Sequence, residues 1–142
     1  MPRDAELLCL ARHEKDIVKR PLLLPVLVAA TLLAACSKSP ESTAESFFKA
    51  LSAGEITEAQ TYLSSEVTSL LGPKKAQAGL TQEAKRIQAC GGIKDIDLKL
   101  TGQGQLRTGS ATIVYAGSAC KTKDTRVNLI KEEGQWKIGA GK

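Results

Sequence analysis

The strongest constraint on the fold is a change of hydrophobic period at Gly91 and Gly92. Before these glycines, apolar residues recur every three or four positions, as on one face of a helix. After them, apolar and polar residues alternate, as in strands with one buried face. The change predicts an α+β domain in which the N-terminal helices pack on a curved, cone-like antiparallel sheet of about four strands.

The helical part is predicted to contain three segments, at residues 40–53, 56–63 and 74–89. Residues 67–71 allow one further turn before Gly72 and Pro73 interrupt the pattern. The first helix is expected to face the core with Ala44, Phe47, Phe48 and Leu51. Short turns at residues 102–104, 116–120 and 132–134 favour hairpins between neighbouring strands.

An uncharged apolar run occupies residues 22–35, directly after Lys19 and Arg20. It is shorter than the roughly 20 residues that a membrane-spanning helix needs, and its length is typical of a signal peptide. Its last residues and Cys36 read Leu-Ala-Ala-Cys, which resembles the lipobox of bacterial lipoproteins. The resemblance implies that Cys36 is acylated and becomes the mature N-terminus. An ordinary secretory signal that contains a Cys is the alternative.

These features predict a signal peptide at residues 1–35, an acylated tether at 36–39 and a folded domain at 40–142. Twenty residues precede the apolar run, so Val18 is a candidate for the true start, with an extended signal peptide as the alternative. Two acyl-bearing groups on Cys36 would suffice for stable anchoring in the cell envelope. Ser37 favours the outer membrane, facing the periplasm, if the cell is Gram-negative.

Cys90 and Cys120 are the thiols that remain once Cys36 is acylated and the leader is removed. In an oxidising compartment they are expected to pair, tying the last helix to the turn between the second and third strands. Two separate thiols are the alternative. A redox pair is disfavoured because no Cys-x-x-Cys spacing occurs.

Several functions are disfavoured by residues that the chain lacks. The single histidine, His13, precedes Cys36, so the mature chain has none and lacks the commonest general base and metal ligand. No metal site, cofactor or catalytic residue is predicted. The formal charge of +5 arises from scattered basic residues with few aromatics, and no nucleic-acid partner is expected.

Residues 40–140 also follow a recognisable order of motifs. It is carried by Ala44, Phe47, Phe48, Ala50, Leu51, Gly54, Glu55, Ala59, Tyr62, Leu63, Gly134, Trp136, Lys137 and Ile138. The order resembles that of small bacterial lipoproteins of unknown function in the nuclear-transport-factor-2-like superfamily, whose cystatin-like cones are also compared with lumazine-binding domains. Enzymes of that superfamily place His and Asp in the cone, and this chain has no His there.

The resemblance and the composition together predict a lipid-anchored domain that binds a small ligand or an envelope protein and is not an enzyme. The alternative is a cone-type enzyme acting through carboxylates, for which Asp95 and Asp97 are the nearest pair. Phe47, Phe48, Tyr62 and Trp136 are the candidate cone-lining residues. Lys121, Lys123 and Arg126 could meet anionic groups, although a charged strand end is the simpler interpretation.

Overall fold

The computed structural model describes residues 37–141, which form four helices followed by four strands. The helices are α1 (Pro40–Ala53), α2 (Ile56–Thr61), α3 (Ser65–Leu71) and α4 (Pro73–Ala89), and the strands are β1 (Ile93–Thr101), β2 (Leu106–Tyr115), β3 (Lys123–Glu132) and β4 (Gln135–Ile138). Cys36 and the predicted signal peptide lie outside the described residues. Within residues 37–141, no helix is both long and apolar enough to cross a membrane.

Both ends of α1 are fixed by the residues that the sequence places there. Ser39 Oγ accepts a hydrogen bond from the Ser42 amide (3.1 Å), and Pro40 occupies the first turn, where no amide donor is needed. Gly54 closes the helix at a φ of 76°, a left-handed conformation that glycine adopts without strain. As a result, α1 begins and ends where the sequence predicted.

The segment after α2 forms a helix of its own instead of a single turn. Ser64 is fully buried, and its Oγ accepts a hydrogen bond from the Val67 amide (3.2 Å) at the start of α3. The second predicted helix is shorter than expected, because Leu63 forms a parallel bridge with Ile138 instead of another helical turn. This bridge depends on a contact with β4, which the local apolar spacing does not encode.

The four strands pair in chain order, β1-β2-β3-β4, and each pair is antiparallel. This arrangement confirms the predicted meander and the α+β class. The β1–β2 register shifts between Ile93 and Asp95, and at this bulge both Lys94 and Asp95 are exposed. Beyond the bulge, β1 alternates between half-buried apolar and exposed polar residues, as the sequence pattern indicated.

The core lies between α1, α4 and one face of the sheet. Its largest fully buried apolar side chains are Leu51, Ile87, Ile113 and Leu129, which come from two helices and two strands. The rings of Phe47 and Phe48 meet edge to face with centroids 5.3 Å apart. Helices and sheet therefore share one apolar layer, with the helices on one face of the sheet as predicted.

The two ends of the sheet are built from different turns. The disulfide end contains Gly91, Gly92 and the β2–β3 turn at residues 116–122. The hairpin end contains the β1–β2 turn at residues 102–105 and the β3–β4 turn at residues 133–134.

Helices α1 and α4 both finish at the disulfide end. The Ile93 amide donates a hydrogen bond to Ser52 Oγ in the last turn of α1 (3.1 Å). The Gly92 amide donates to the Ile87 carbonyl in the last turn of α4 (3.0 Å). The last turns of the two helices therefore meet beside the start of β1.

Candidate ligand cavity

A cavity of about 300 Å³ lies between α1, α4 and β3. Its apolar wall consists of Phe47, Phe48, Leu51, Leu80, Val127 and Ile138. Its polar lining consists of Glu83, Lys123, Thr125, Arg126 and Asn128. Gly139 and Gly141 also border it, and Asn128 Nδ2 holds this segment by donating a hydrogen bond to the Ala140 carbonyl (3.0 Å). The cavity therefore combines an apolar wall with a charged side.

Four residues form what we call the rim cluster: Glu83, Arg86, Tyr115 and Lys123. The Arg86 guanidinium donates to both carboxylate oxygens of Glu83, with Nε 3.0 Å from Oε2 and Nη2 close to Oε1. Arg86 Nη2 also donates to the Tyr115 hydroxyl (3.2 Å), and Lys123 Nζ donates to Glu83 Oε1 (3.4 Å). Glu83 thereby links α4 to β3, and Arg86 links α4 to β2.

The rim cluster sets the ionisation of its own members. The hydrogen bonds from Arg86 lower the pKa of Glu83 below its ordinary value; burial opposes this shift, and Lys123 adds to it. The same hydrogen bonds raise the pKa of Arg86. Glu83 is therefore ionised near neutral pH, and the two cations beside it leave the rim cluster with an excess of positive charge.

Two of the aromatic residues predicted to line the cone, Phe47 and Phe48, form part of the cavity wall. Tyr62 does not line the cavity. Helix α2 ends at Thr61, so Tyr62 no longer lies on a helical face. Its hydroxyl donates to Glu58 Oε1 (3.0 Å), and Lys38 Nζ lies 5.3 Å from the centre of its ring. Tyr62 therefore packs beside the N-terminal tether.

Trp136, the remaining aromatic candidate, also lies outside the cavity. It is buried on β4 at the hairpin end, where the guanidinium of Arg107 is 5.1 Å and the ammonium of Lys131 is 5.9 Å from the ring centre. Strand β4 pairs with Leu129–Glu132 at the end of β3, and Trp136 lies opposite Lys131 in that pairing. Its contacts are those of a packed core residue with cations over its ring.

Asp95 and Asp97 are both exposed on β1 and do not line the cavity. Asp97 Oδ2 lies 3.7 Å from Lys99 Nζ. Asp95 instead borders a separate, open groove of about 420 Å³ between α1 and β1, together with the exposed Lys49. Within residues 37–141, no group of three or more His, Cys, Asp or Glu residues is placed to hold a metal ion.

Cys90 and Cys120 are joined by a disulfide, with their Cα atoms 5.4 Å apart. The Gly117 amide donates to the Cys90 carbonyl (2.9 Å), and a Cβ on Gly117 would approach that oxygen to 2.6 Å, so the β2–β3 turn packs directly on the end of α4. The bridge holds α4, which carries Glu83 and Arg86, against the turn that joins β2 and β3. These two strands carry the other members of the rim cluster. It indicates an oxidising, extracytoplasmic compartment.

The sequence alone does not reveal the rim cluster. Glu83 and Arg86 have the spacing of an ordinary helical ion pair, and Lys123 follows Glu83 by 40 residues. The three basic residues that the sequence places near the start of β3 do not share one site. Lys123 and Arg126 line the cavity, whereas Lys121 is exposed outside it. Only the packing of α4 over β3 brings these groups together.

Comparisons with known proteins bear on the fold. No protein-family model matches the chain, and no curated protein matches it. Among solved structures, it is similar to a candidate NTF2-like transpeptidase from Campylobacter jejuni, with a TM-score of 0.62 and 19% identity, over 73% of this chain and 100% of that one. The domain therefore has an NTF2-like (nuclear-transport-factor-2-like) fold, with helices on a curled four-stranded antiparallel half-barrel.

The prediction that the domain is not an enzyme is wrong, because a protein of the same fold is named as a candidate transpeptidase. The likeness shows the fold alone, and it assigns neither a reaction nor a catalytic residue to this chain.

Proposed function

We propose that the protein is anchored in the bacterial cell envelope by a lipid on Cys36, and that its NTF2-like domain binds a small amphipathic anion in the cavity between α1, α4 and β3. The observation that carries the proposal is the joining of an apolar wall to a positively charged rim within one cavity.

The proposed anchoring is supported by two independent features. The apolar run at residues 22–35 ends in Ala34-Ala35-Cys36, which places small residues directly before a thiol. The disulfide between Cys90 and Cys120 is expected in a protein that folds after export. Two attached acyl groups would give stable membrane attachment without a spanning helix.

The residues that line the cavity determine which kind of ligand it can bind. Six apolar side chains face the cavity, and transfer of an apolar body from water onto them is favourable. Lys123 lines the cavity, and together with Arg86 it outweighs the single charge of Glu83. At about 300 Å³, the cavity is at the small end of ligand pockets. A small carboxylate or phosphate with a short apolar body fits these conditions.

The experiment is mass spectrometry of the purified, exported protein under denaturing and then native conditions. The denatured chain is expected to begin at Cys36 and to carry the mass of a diacylglyceryl group and an amide-linked acyl chain. The native protein is expected to carry an additional small anion. The Cys36→Ser variant should lose the acyl mass and keep the bound anion, which separates the two halves of the proposal.

Variants that remove basic side chains from the cavity test whether it binds the anion. The double variant Lys123→Ala/Arg126→Ala should bind the anion roughly tenfold more weakly or worse, because charge-assisted hydrogen bonds are lost. Lys121→Ala is the matched control, since Lys121 is exposed and outside the cavity. An unmodified Cys36 would overturn the anchoring. Equal binding by the double variant and the control, or an empty native protein, would overturn the cavity assignment.

A further inference from the structure

The end of α3 exposes two adjacent leucines. Leu70 is 70% exposed and Leu71 is 50% exposed, although leucine is among the residues most often buried. No residue of α3 is buried, so the helix contributes little to the core of the domain. The exposed pair therefore has no role in packing within the described residues.

Two lysines follow the leucines at once. Lys74 and Lys75 lie in the first turn of α4, are both exposed, and form no ion pair with a carboxylate within the described residues. The first turn of α4 contains no acidic residue. Positive charge at a helix N-terminus opposes the helix dipole, so helix stability does not explain why the two lysines are placed there.

We call Leu70, Leu71, Lys74 and Lys75 the Leu-Lys tip; the helix that leads into it, α3, begins at the same end of the domain as the N-terminal tether. Ser37 Oγ donates a hydrogen bond to the Gly134 carbonyl in the β3–β4 turn (2.9 Å). At the first residue of α3, the Ser65 amide donates to a Glu132 carboxylate oxygen at the end of β3 (3.1 Å).

We propose that the Leu-Lys tip is a second membrane contact, in which Leu70 and Leu71 enter the headgroup boundary of a bilayer and Lys74 and Lys75 meet its anionic lipids. The inference rests on the proposed lipid anchor, because Ser37 directly follows Cys36 and emerges at the same end. Exposed apolar residues beside lysines are the composition that interfacial membrane segments use. Glu66 is the one acidic residue of α3, and it lies a full turn before the leucines.

The test uses the acylated, disulfide-bonded protein in vesicles. A single cysteine is introduced by Leu71→Cys and labelled with an environment-sensitive fluorophore, and Ser118→Cys at the disulfide end is the matched control. In phosphatidylethanolamine vesicles containing phosphatidylglycerol, the label at position 71 should shift to shorter wavelength and be shielded several-fold from acrylamide. The label at position 118 should remain as in water.

A charge variant separates lipid contact from other causes. In the labelled Leu71→Cys protein, Lys74→Glu/Lys75→Glu should abolish most of the shift in anionic vesicles, whereas Lys121→Glu should leave it unchanged. A water-like signal at position 71 in anchored protein would overturn the proposal. So would a shielded signal that appears without vesicles and grows with protein concentration, since it would show contact with a second copy.

The acyl mass on Cys36 is measured on the same sample. If that mass is absent, the proposed anchoring fails. The labelled protein is then added to the same vesicles from solution, and the wavelength shift tests the tip independently. A shift in that arm supports the Leu-Lys tip, and its absence overturns it.

Discussion

The disulfide end and the hairpin end of the domain are stabilised by different interactions. At the disulfide end, a covalent bridge and a cluster of charge-assisted hydrogen bonds join α4 to the sheet beside the cavity. At the hairpin end, one hydrogen bond from Ser37 holds the tether, the Glu132 carboxylate accepts three hydrogen bonds from Ser65 at the start of α3, and two leucines face outward. Both ends therefore use charge-assisted hydrogen bonds, and the disulfide end adds a covalent link between helix and sheet.

The largest expected effect comes from removing the covalent link at the disulfide end. Replacing both Cys90 and Cys120 with Ala should lower the free energy of unfolding by roughly 3 to 4 kcal/mol, the chain-entropy value for a loop of this length. Urea denaturation of the purified protein measures the loss. A reductant should destabilise the wild-type protein and leave the double variant unchanged. Equal stability of the two proteins would show that the disulfide end is held by packing alone.

A smaller loss is expected at the hairpin end, where α1 begins. Ser39→Ala removes the hydroxyl that accepts a hydrogen bond from the Ser42 amide, and should cost about 1 kcal/mol, as for other N-caps. The control is Ser118→Ala, which changes an exposed serine outside any helix. A loss in Ser39→Ala as large as that of the cysteine double variant would contradict the comparison of the two ends.

The smallest effect concerns the rim cluster and depends on pH. Glu83→Gln should destabilise the protein by about 0.5 kcal/mol near neutral pH, because the ion pairs are partly exposed. Since the pKa of Glu83 is lowered in the folded state, its contribution is complete above about pH 4.3, the unfolded value, and is lost as pH falls through the folded value.

Denaturation series at several pH values measure this difference, with Glu55→Gln as the control at an exposed glutamate. The difference between wild type and Glu83→Gln should shrink as the solution is acidified below that pH. A constant difference across the range would mean that the carboxylate charge does not contribute, and that the amide disturbs packing instead.

Local patterns in the sequence predicted the architecture. The change of period at Gly91 and Gly92 predicted helices before strands, and the short turns predicted the antiparallel order. The separation of α3 from α2 was not predictable, since it depends on buried Ser64 and on the bridge from Leu63 to β4. Local spacing carries no information about such contacts.

The candidate site was predictable only in part, for the same reason. Phe47 and Phe48 could be assigned to the cavity because they lie on the core face of α1. Tyr62 and Trp136 look equivalent in the sequence, but the end of α2 and the short β4 place them elsewhere. The contact of Glu83 with Lys123 joins residues 40 positions apart, and no spacing rule specifies it.

The position of the disulfide also bears on when the domain can fold. Cys120 follows Cys90 by 30 residues and lies after β2, so the bridge can close only once β1 and β2 are present. In a reducing cytoplasm the chain lacks that link and has a less stable native state. A polypeptide that must stay unfolded while it is translocated benefits from this delay. With the export that we propose, the link that stabilises the folded protein would also delay its folding until the chain reaches the far side of the membrane.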